Sequence, residues 1–272
     1  MEKKTIKLEK EKETLLIPLY CKAIESKKET PIISDDTAVK MVSEIKYDYA
    51  QLKIPKKTHV TLCMRAKQFD NYAIEFMKKY SNSVVVHLGC GLDSRFVRID
   101  NGMVKWYDLD YPEVIELRRS FYQESDRYHL IPSSVMELKW VDNLIGEKGP
   151  FLFLAEGLFM YLREEEVKDL ILKLQKEFRG CQLVFDAYST LTAKHIKQHP
   201  SMRKTGAGIY WGIDDAHEIE KWNAGINLID EWYFTQSEDI NKLSIEYRFA
   251  FKFAGLFSAA RKAHRILVFQ LR

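Results

Sequence analysis

The chain has 272 residues, with 42 Lys and Arg against 39 Asp and Glu, 46% hydrophobic and 12% aromatic residues. That apolar fraction excludes a largely disordered chain. A formal net charge of +3 on this length leaves no electrostatic footprint of a nucleic-acid binder. No stretch approaches the ~20 consecutive apolar residues of a spanning helix, so neither nucleic acid nor a membrane is expected as a partner. The start, Met1-Glu2-Lys3-Lys4-Thr5, is not an apolar leader. Cys21, Cys63, Cys90 and Cys181 lie far apart with no CxxC pair, which signals no metal site and no disulfide framework. A reducing cytoplasm is the expected location.

Residues 1–80 read as a helical cap. Asp35 and Asp36 start a helix running through Met41, Val42 and Ile45, because acidic side chains accept from its free N–H groups. Phe69, Ala73, Phe76, Met77 and Tyr80 recur at helical spacing and predict an amphipathic helix over Arg65–Tyr80. The period then changes. Val84–Leu88 is a short β-branched run ending at Gly89, as expected of a strand buried on both faces. Similar runs follow at Val104–Tyr107, His129–Ile131, Phe151–Ala155 and Leu183–Phe185. The clearest intervening helix is Arg163–Arg179, opened by three glutamates, closed by Lys176 and Arg179 and stopped at Gly180.

Strands alternating with helices predict an α/β fold with a parallel, doubly wound sheet. Asn227–Phe234 and His264–Leu271 enclose a helical stretch near 241–258 and predict an antiparallel addition at the sheet edge. Ser189–Glu220, with Tyr210-Trp211-Gly212, reads as an insertion roofing a pocket. With no linker between these parts the chain reads as one domain. Its parts are a cap (1–80), a ligand-binding core (81–188), a lid (189–225) and closing strands (226–272).

The first strand-to-helix turn is Leu88-Gly89-Cys90-Gly91-Leu92-Asp93-Ser94-Arg95. Glycines there let the backbone approach a ligand, although a tight turn alone would also explain them. A dinucleotide fingerprint requires a third glycine or alanine where Ser94 stands, which disfavours a nicotinamide oxidoreductase and favours a nucleoside without a pyrophosphate. Asp108 and Asp110 follow the glycine turn by about 20 residues, where a carboxylate accepts from ribose hydroxyls. Either one suits that role, and the other would cap the helix entered at Pro112. Glu156 directly follows an apolar strand, at the sheet edge where open α/β folds bind ligands, and a buried carboxylate there needs a cation.

The segments LGCGLDSR, WYDLDYPEV, SSVMELKW and AEGLFMYL occur in this order with matching separations. Together they resemble the leucine carboxyl methyltransferase family, including its bacterial polyketide O-methyltransferase-like branch. The resemblance covers roughly Arg65 to Phe185, and more loosely the C-terminal third. It implies a Rossmann-like class I methyltransferase fold with a seven-stranded, mostly parallel sheet, and S-adenosyl-L-methionine as cofactor. It further implies that Arg65 holds the cofactor carboxylate and that Gly89 and Gly91 pass under the methionine portion. By the same resemblance Asp110 or Asp108 holds the ribose, Glu156 binds the α-ammonium, and Asp93 belongs to the motif. Ser134 stands where the family often has an aspartate, with adenine contacts implied at Ser134, Val135 and Met136.

O-methyl transfer to a small organic acid or hydroxyl compound is the function these features imply. A binding module without turnover and carboxyl methylation of a protein C-terminus are the alternatives. A carboxylate acceptor needs no general base, whereas a phenol gains from one. No His-Asp or Lys pair stands at a motif position to supply such a base, which favours a carboxyl acceptor; Tyr161, Tyr188, Tyr210 and His217 are the candidate bases.

Overall fold

The computed structural model describes residues 14–196 and 208–272. Three helices precede the first strand: α1 (Leu16–Glu25), α2 (Asp36–Glu44) and α3 (Lys56–Lys79). Asp35 caps α2 by accepting from the Ala38 N–H at 2.8 Å. The α3 helix begins nine residues before the predicted Arg65, directly after Pro55, whose fixed φ suits a helix entry. The polar run Lys56-Lys57-Thr58-His59 hides that start, but Val60, Cys63 and Met64 continue the buried stripe.

The strands are β1 (Val84–Leu88), β2 (Lys105–Asp110), β3 (Tyr128–Pro132), β4 (Phe151–Ala155), β5 (Cys181–Tyr188), β6 (Ile226–Tyr233) and β7 (His264–Leu271). Between them lie α4 (Arg95–Ile99), α5 (Pro112–Arg119), α6 (Glu164–Glu177) and α7 (Thr190–Ile196), then α8 (Ile245–Ala254) and α9 (Ser258–Lys262). The predicted helical stretch 241–258 is thus α8 followed by the start of α9. One seven-stranded sheet results, in the order β3-β2-β1-β4-β5-β7-β6. The first five strands are parallel, and β7 runs antiparallel between β5 and β6. The sheet is α/β and mostly parallel, as expected.

Side-chain alternation divides the apolar residues into two layers. Val85, Trp106, Leu152 and Val184 face the layer that includes α1, α2 and α3. Val86, Leu109, Phe153 and Phe185 face the layer built on α6. The order of β2, β1 and β4 makes the C-terminal end of β1 a switch point, where the connections leave toward opposite sides and a crevice opens.

Of the segment read as a lid, α7 and residues 208–210 border that crevice, and 197–207 lie outside the described residues. The remainder does not roof anything. Trp211, Ile213, Ala216 and Ile219 are buried in the layer beside α6, because their apolar area is large enough to complete that core.

Candidate active site

A cleft of about 1080 Å³ lies over the C-terminal ends of β1, β2 and β4. Gly89 and Gly91 line it with φ of +63° and +53°. At Gly91 a Cβ would also lie 3.0 Å from the Leu15 side chain, so both the turn and the approach of the N-terminal segment need glycine. Ser94 is explained by its contact: its hydroxyl donates to Asp35 at 2.6 Å, tying the glycine turn to the cap of α2.

The structure separates the two aspartates. Asp110 lines the cleft, accepting the Gly91 and Tyr111 N–H groups at 2.7 Å each, and burial pushes its carboxyl up despite them. Asp108 lies below the cleft floor. It accepts from Trp106 at 2.8 Å and from Tyr128 at 2.5 Å, and is ion-paired with Arg118. Burial would raise its carboxyl, but Arg118, His87 and Tyr128 together outweigh that and hold it below the usual range. Asp108 thus faces Arg118 and Tyr128 rather than the cleft. It positions Arg118, which donates to the carbonyls of Gly91 and Asp93 at 2.8 Å and so braces the glycine turn. Neither aspartate caps α5, whose N-cap is Tyr111 without a side-chain bond.

The floor at the other side of the glycine turn is a continuous lattice of charge. Arg65 donates to Glu156 and to Asp186 at 2.9 Å each, and Arg95 donates to Glu156 at 2.5 Å and to Asp70 at 2.6 Å. Asp93 is ion-paired with Arg95, Arg98 and Lys22. Arg98 continues to Asp70 and Asp35 at 2.8 Å. Four cations thus face five carboxylates, all with side chains at most about a tenth exposed. Burial opposes ionisation of Glu156, Asp93 and Asp186, yet the adjacent guanidinium groups, joined by Lys22 at Asp93 and by His264 at Asp186, hold all three below the ordinary carboxylate range. His264, 2.7 Å from Asp186, is pushed down by its own burial.

Of this lattice Lys22, Arg65, Asp93 and Glu156 reach the cleft wall. Lys22 is the one charge in the apolar run at residues 15–24, a signal the sequence reading did not use. Asp186 had a readable signal, a carboxylate inside the apolar run Leu183-Val184-Phe185, which demands a cation somewhere in the fold.

Ser134 and Val135 line the cleft; Met136 does not, and packs instead against the layer on the α6 side. Tyr161 and Tyr188 stand beside Arg65 and Asp186, Tyr188 with its ring 4.3 Å from that of His264, while Leu191, His195, Ile209 and Tyr210 form the far wall and Lys57 stands exposed at the rim. Burial pushes the Tyr161 and Tyr188 phenols up, so neither accepts a proton at neutral pH. His217 is absent from the cleft wall and pairs with Glu220 at 2.7 Å on the surface. Among the described residues, Glu25, His59 and Cys63 gather as potential metal ligands. Glu25 there already accepts from Ile32, Lys28 and His59.

Three comparisons bear on this cleft. The profile of the leucine carboxyl methyltransferase family matches residues 16–175. The tetracenomycin polyketide synthesis O-methyltransferase TcmP of Streptomyces glaucescens is 34% identical over 234 residues, covering 86% of either chain. The S-adenosyl-L-methionine-dependent methyltransferase dpfgK of Gibberella zeae is 26% identical over 256 residues, covering 86% of this chain and 85% of its own. Among solved structures, a DUF574 family protein from Streptomyces avermitilis shares the fold with a TM-score of 0.56 at 10% identity, over 95% of this chain and 97% of that one.

Proposed function

Since the chain belongs to the leucine carboxyl methyltransferase family and is an S-adenosylmethionine-dependent methyltransferase, we propose that it methylates an oxygen of a small, polyketide-like organic acid. The observation that carries this reading is the polarity of the cleft. One end is an ionic lattice with a carboxylate in excess, and the other is a wall of tyrosine and aliphatic side chains.

The cofactor is a zwitterionic amino acid bearing a further positive sulfonium, so it needs fixed charges of both signs and an anionic surplus. The lattice offers both. Lys22 and Arg65 are the cations at the wall for the carboxylate, and Glu156 with Asp93 are the anions for the ammonium. Asp110, Ser134 and Val135 line the same cleft, and in this reading Asp110 would accept from the ribose hydroxyls while Ser134 and Val135 would meet the adenine. S-adenosylmethionine supplies an electrophilic methyl group, which an acceptor oxygen takes in line as the carbon–sulfur bond breaks.

The chain's part is then orientation and exclusion of water. Tyr161 and Tyr188, held protonated, position the acceptor rather than deprotonate it, and Lys57 at the rim attracts an anion. A carboxylate acceptor is already ionised and requires nothing more. One observation favours a second reading: His195 lines the same wall and would accept the proton of a hydroxyl acceptor.

Titration with S-adenosylhomocysteine and NADH tests the cofactor end. Binding of the first alone is expected, and Gly91→Val should abolish it, because a branched side chain is strained at φ +53° and meets Leu15. NADH binding, or unimpaired affinity in folded Gly91→Val, would overturn the assignment. Methyl transfer to a panel of aromatic carboxylic acids and phenols tests the acceptor end. Ester formation that survives His195→Gln supports the acid. Transfer to phenols alone, lost in His195→Gln, supports the second reading. Binding without any transfer would leave a module without turnover.

A further inference from the structure

The α8–α9 segment presents an apolar stripe that the chain itself does not cover. Ile245, Phe249, Phe253, Leu256 and Phe257 are 51–76% exposed, while Phe251 on the opposite side of α8 is buried. The spacing 245, 249, 253 and 256–257 sets them along one side of the helical pair. Between residues 242 and 262 there are five basic side chains and one acidic one, Glu246. Lys252 and Arg261 are exposed, and Arg248 is partly so, and on the helix Arg248 and Lys252 border the stripe.

We propose that this stripe docks on an anionic lipid surface, with the phenylalanines entering the headgroup boundary and the basic residues meeting lipid phosphates. Two observations select that occupant. Protruding rings with basic neighbours match the chemistry of an interfacial helix. A second copy related by a two-fold axis would set the same basic residues against each other, which disfavours self-association. The Lys56 ammonium, 5.0 Å over the Tyr247 ring, lies on the inward side of α8 and leaves the stripe uncovered. No helix among the described residues is long and apolar enough to cross a membrane, and the proposal concerns the surface alone. It stands independently of the methyl-transfer reading.

Flotation with vesicles of phosphatidylcholine, with and without about 30 mol% phosphatidylglycerol to give a negative surface potential, tests it. The chain is expected to float with the anionic vesicles only and to detach in about 0.5 M salt, which screens the attraction. Phe249→Ser/Phe253→Ser should lower vesicle affinity by roughly tenfold or more for each ring, since each loses its apolar burial. Lys252→Glu/Arg261→Glu should abolish the preference for anionic lipid. Unchanged thermal midpoint and S-adenosylhomocysteine affinity in these variants exclude misfolding. Failure of the wild-type chain to float, or equal flotation of the phenylalanine variant, overturns the proposal. So does a dimer in sedimentation velocity that the phenylalanine variant dissolves, which assigns the stripe to a second copy. Binding of an acidic protein in place of vesicles does the same.

Discussion

The two ends of the cleft are built on opposite principles. At the glycine turn nearly every polar atom is committed. Arg65, Arg95, Arg98 and Lys22 are each held by carboxylates from different elements, and the side chains are almost wholly buried. At the far wall the groups are Leu191, Ile209, Tyr210 and the exposed His195, on α7 and residues 208–210, chain that borders the opening. The difference teaches where change is tolerated. A buried lattice loses several partners when one member goes, whereas a wall of separate side chains can be altered one contact at a time.

Breaking the lattice should therefore cost most. Arg95→Met leaves Asp70, Asp93 and Glu156 short of a cation and is expected to destabilise the fold by about 3–5 kcal/mol, read as a lower denaturant midpoint. Acid attacks the same place. Asp93, Glu156 and Asp186 have carboxyls held below their unfolded range, so their contribution is complete above that range and is lost as pH falls through the lowered values. The thermal midpoint should fall steeply below about pH 4, where unfolded carboxylates take up protons, and less steeply in Glu156→Gln.

Glu156→Gln itself keeps the shape and removes the charge. S-adenosylhomocysteine affinity should drop ten- to a hundredfold, or roughly 1.5–3 kcal/mol, measured by titration. Wild-type affinity would show that Glu156 serves the lattice and not the ligand. At the opposite end, Lys57→Ala should raise KM for an acidic acceptor by only about two- to fivefold, as exposed charges contribute little. Cofactor affinity should stay unchanged, and a fall in it would erase the distinction between the two ends.

The elements of the sheet were readable because buried strands demand β-branched and apolar runs, and Val84–Leu88 and Phe151–Ala155 have the same bounds in the structure as in the sequence. The start of α3 was not, since Lys56 to His59 carry no apolar period. The choice between Asp108 and Asp110 was equally closed to sequence: both lie on one side of β2, and only the position of Arg118, a helix turn downstream of the motif, removes Asp108 from the cleft. Lys22 and Asp186 join the site through contacts across 71 and 121 residues, to Asp93 and Arg65 respectively, which local patterns do not record. Trp211 and Ile213, read as roof, became core because apolar area outbids position in the chain.

The placement of β7 between β5 and β6 has a consequence for the order in which the molecule can assemble. During synthesis β6 emerges before β7 and lacks the strand it pairs with, because among the described residues its one neighbour in the sheet is β7. The β5 strand likewise waits with one edge bare until residues 264–271 arrive. His264, the first residue of β7, is also the group that reaches Asp186 beneath Arg65. The parallel core and the N-terminal helices can collapse early, but sheet closure and the last contact of the charge lattice depend on the same late strand. Nascent chains would thus carry a half-built cleft and an exposed strand edge, the state in which a protein of this topology is most open to misassembly.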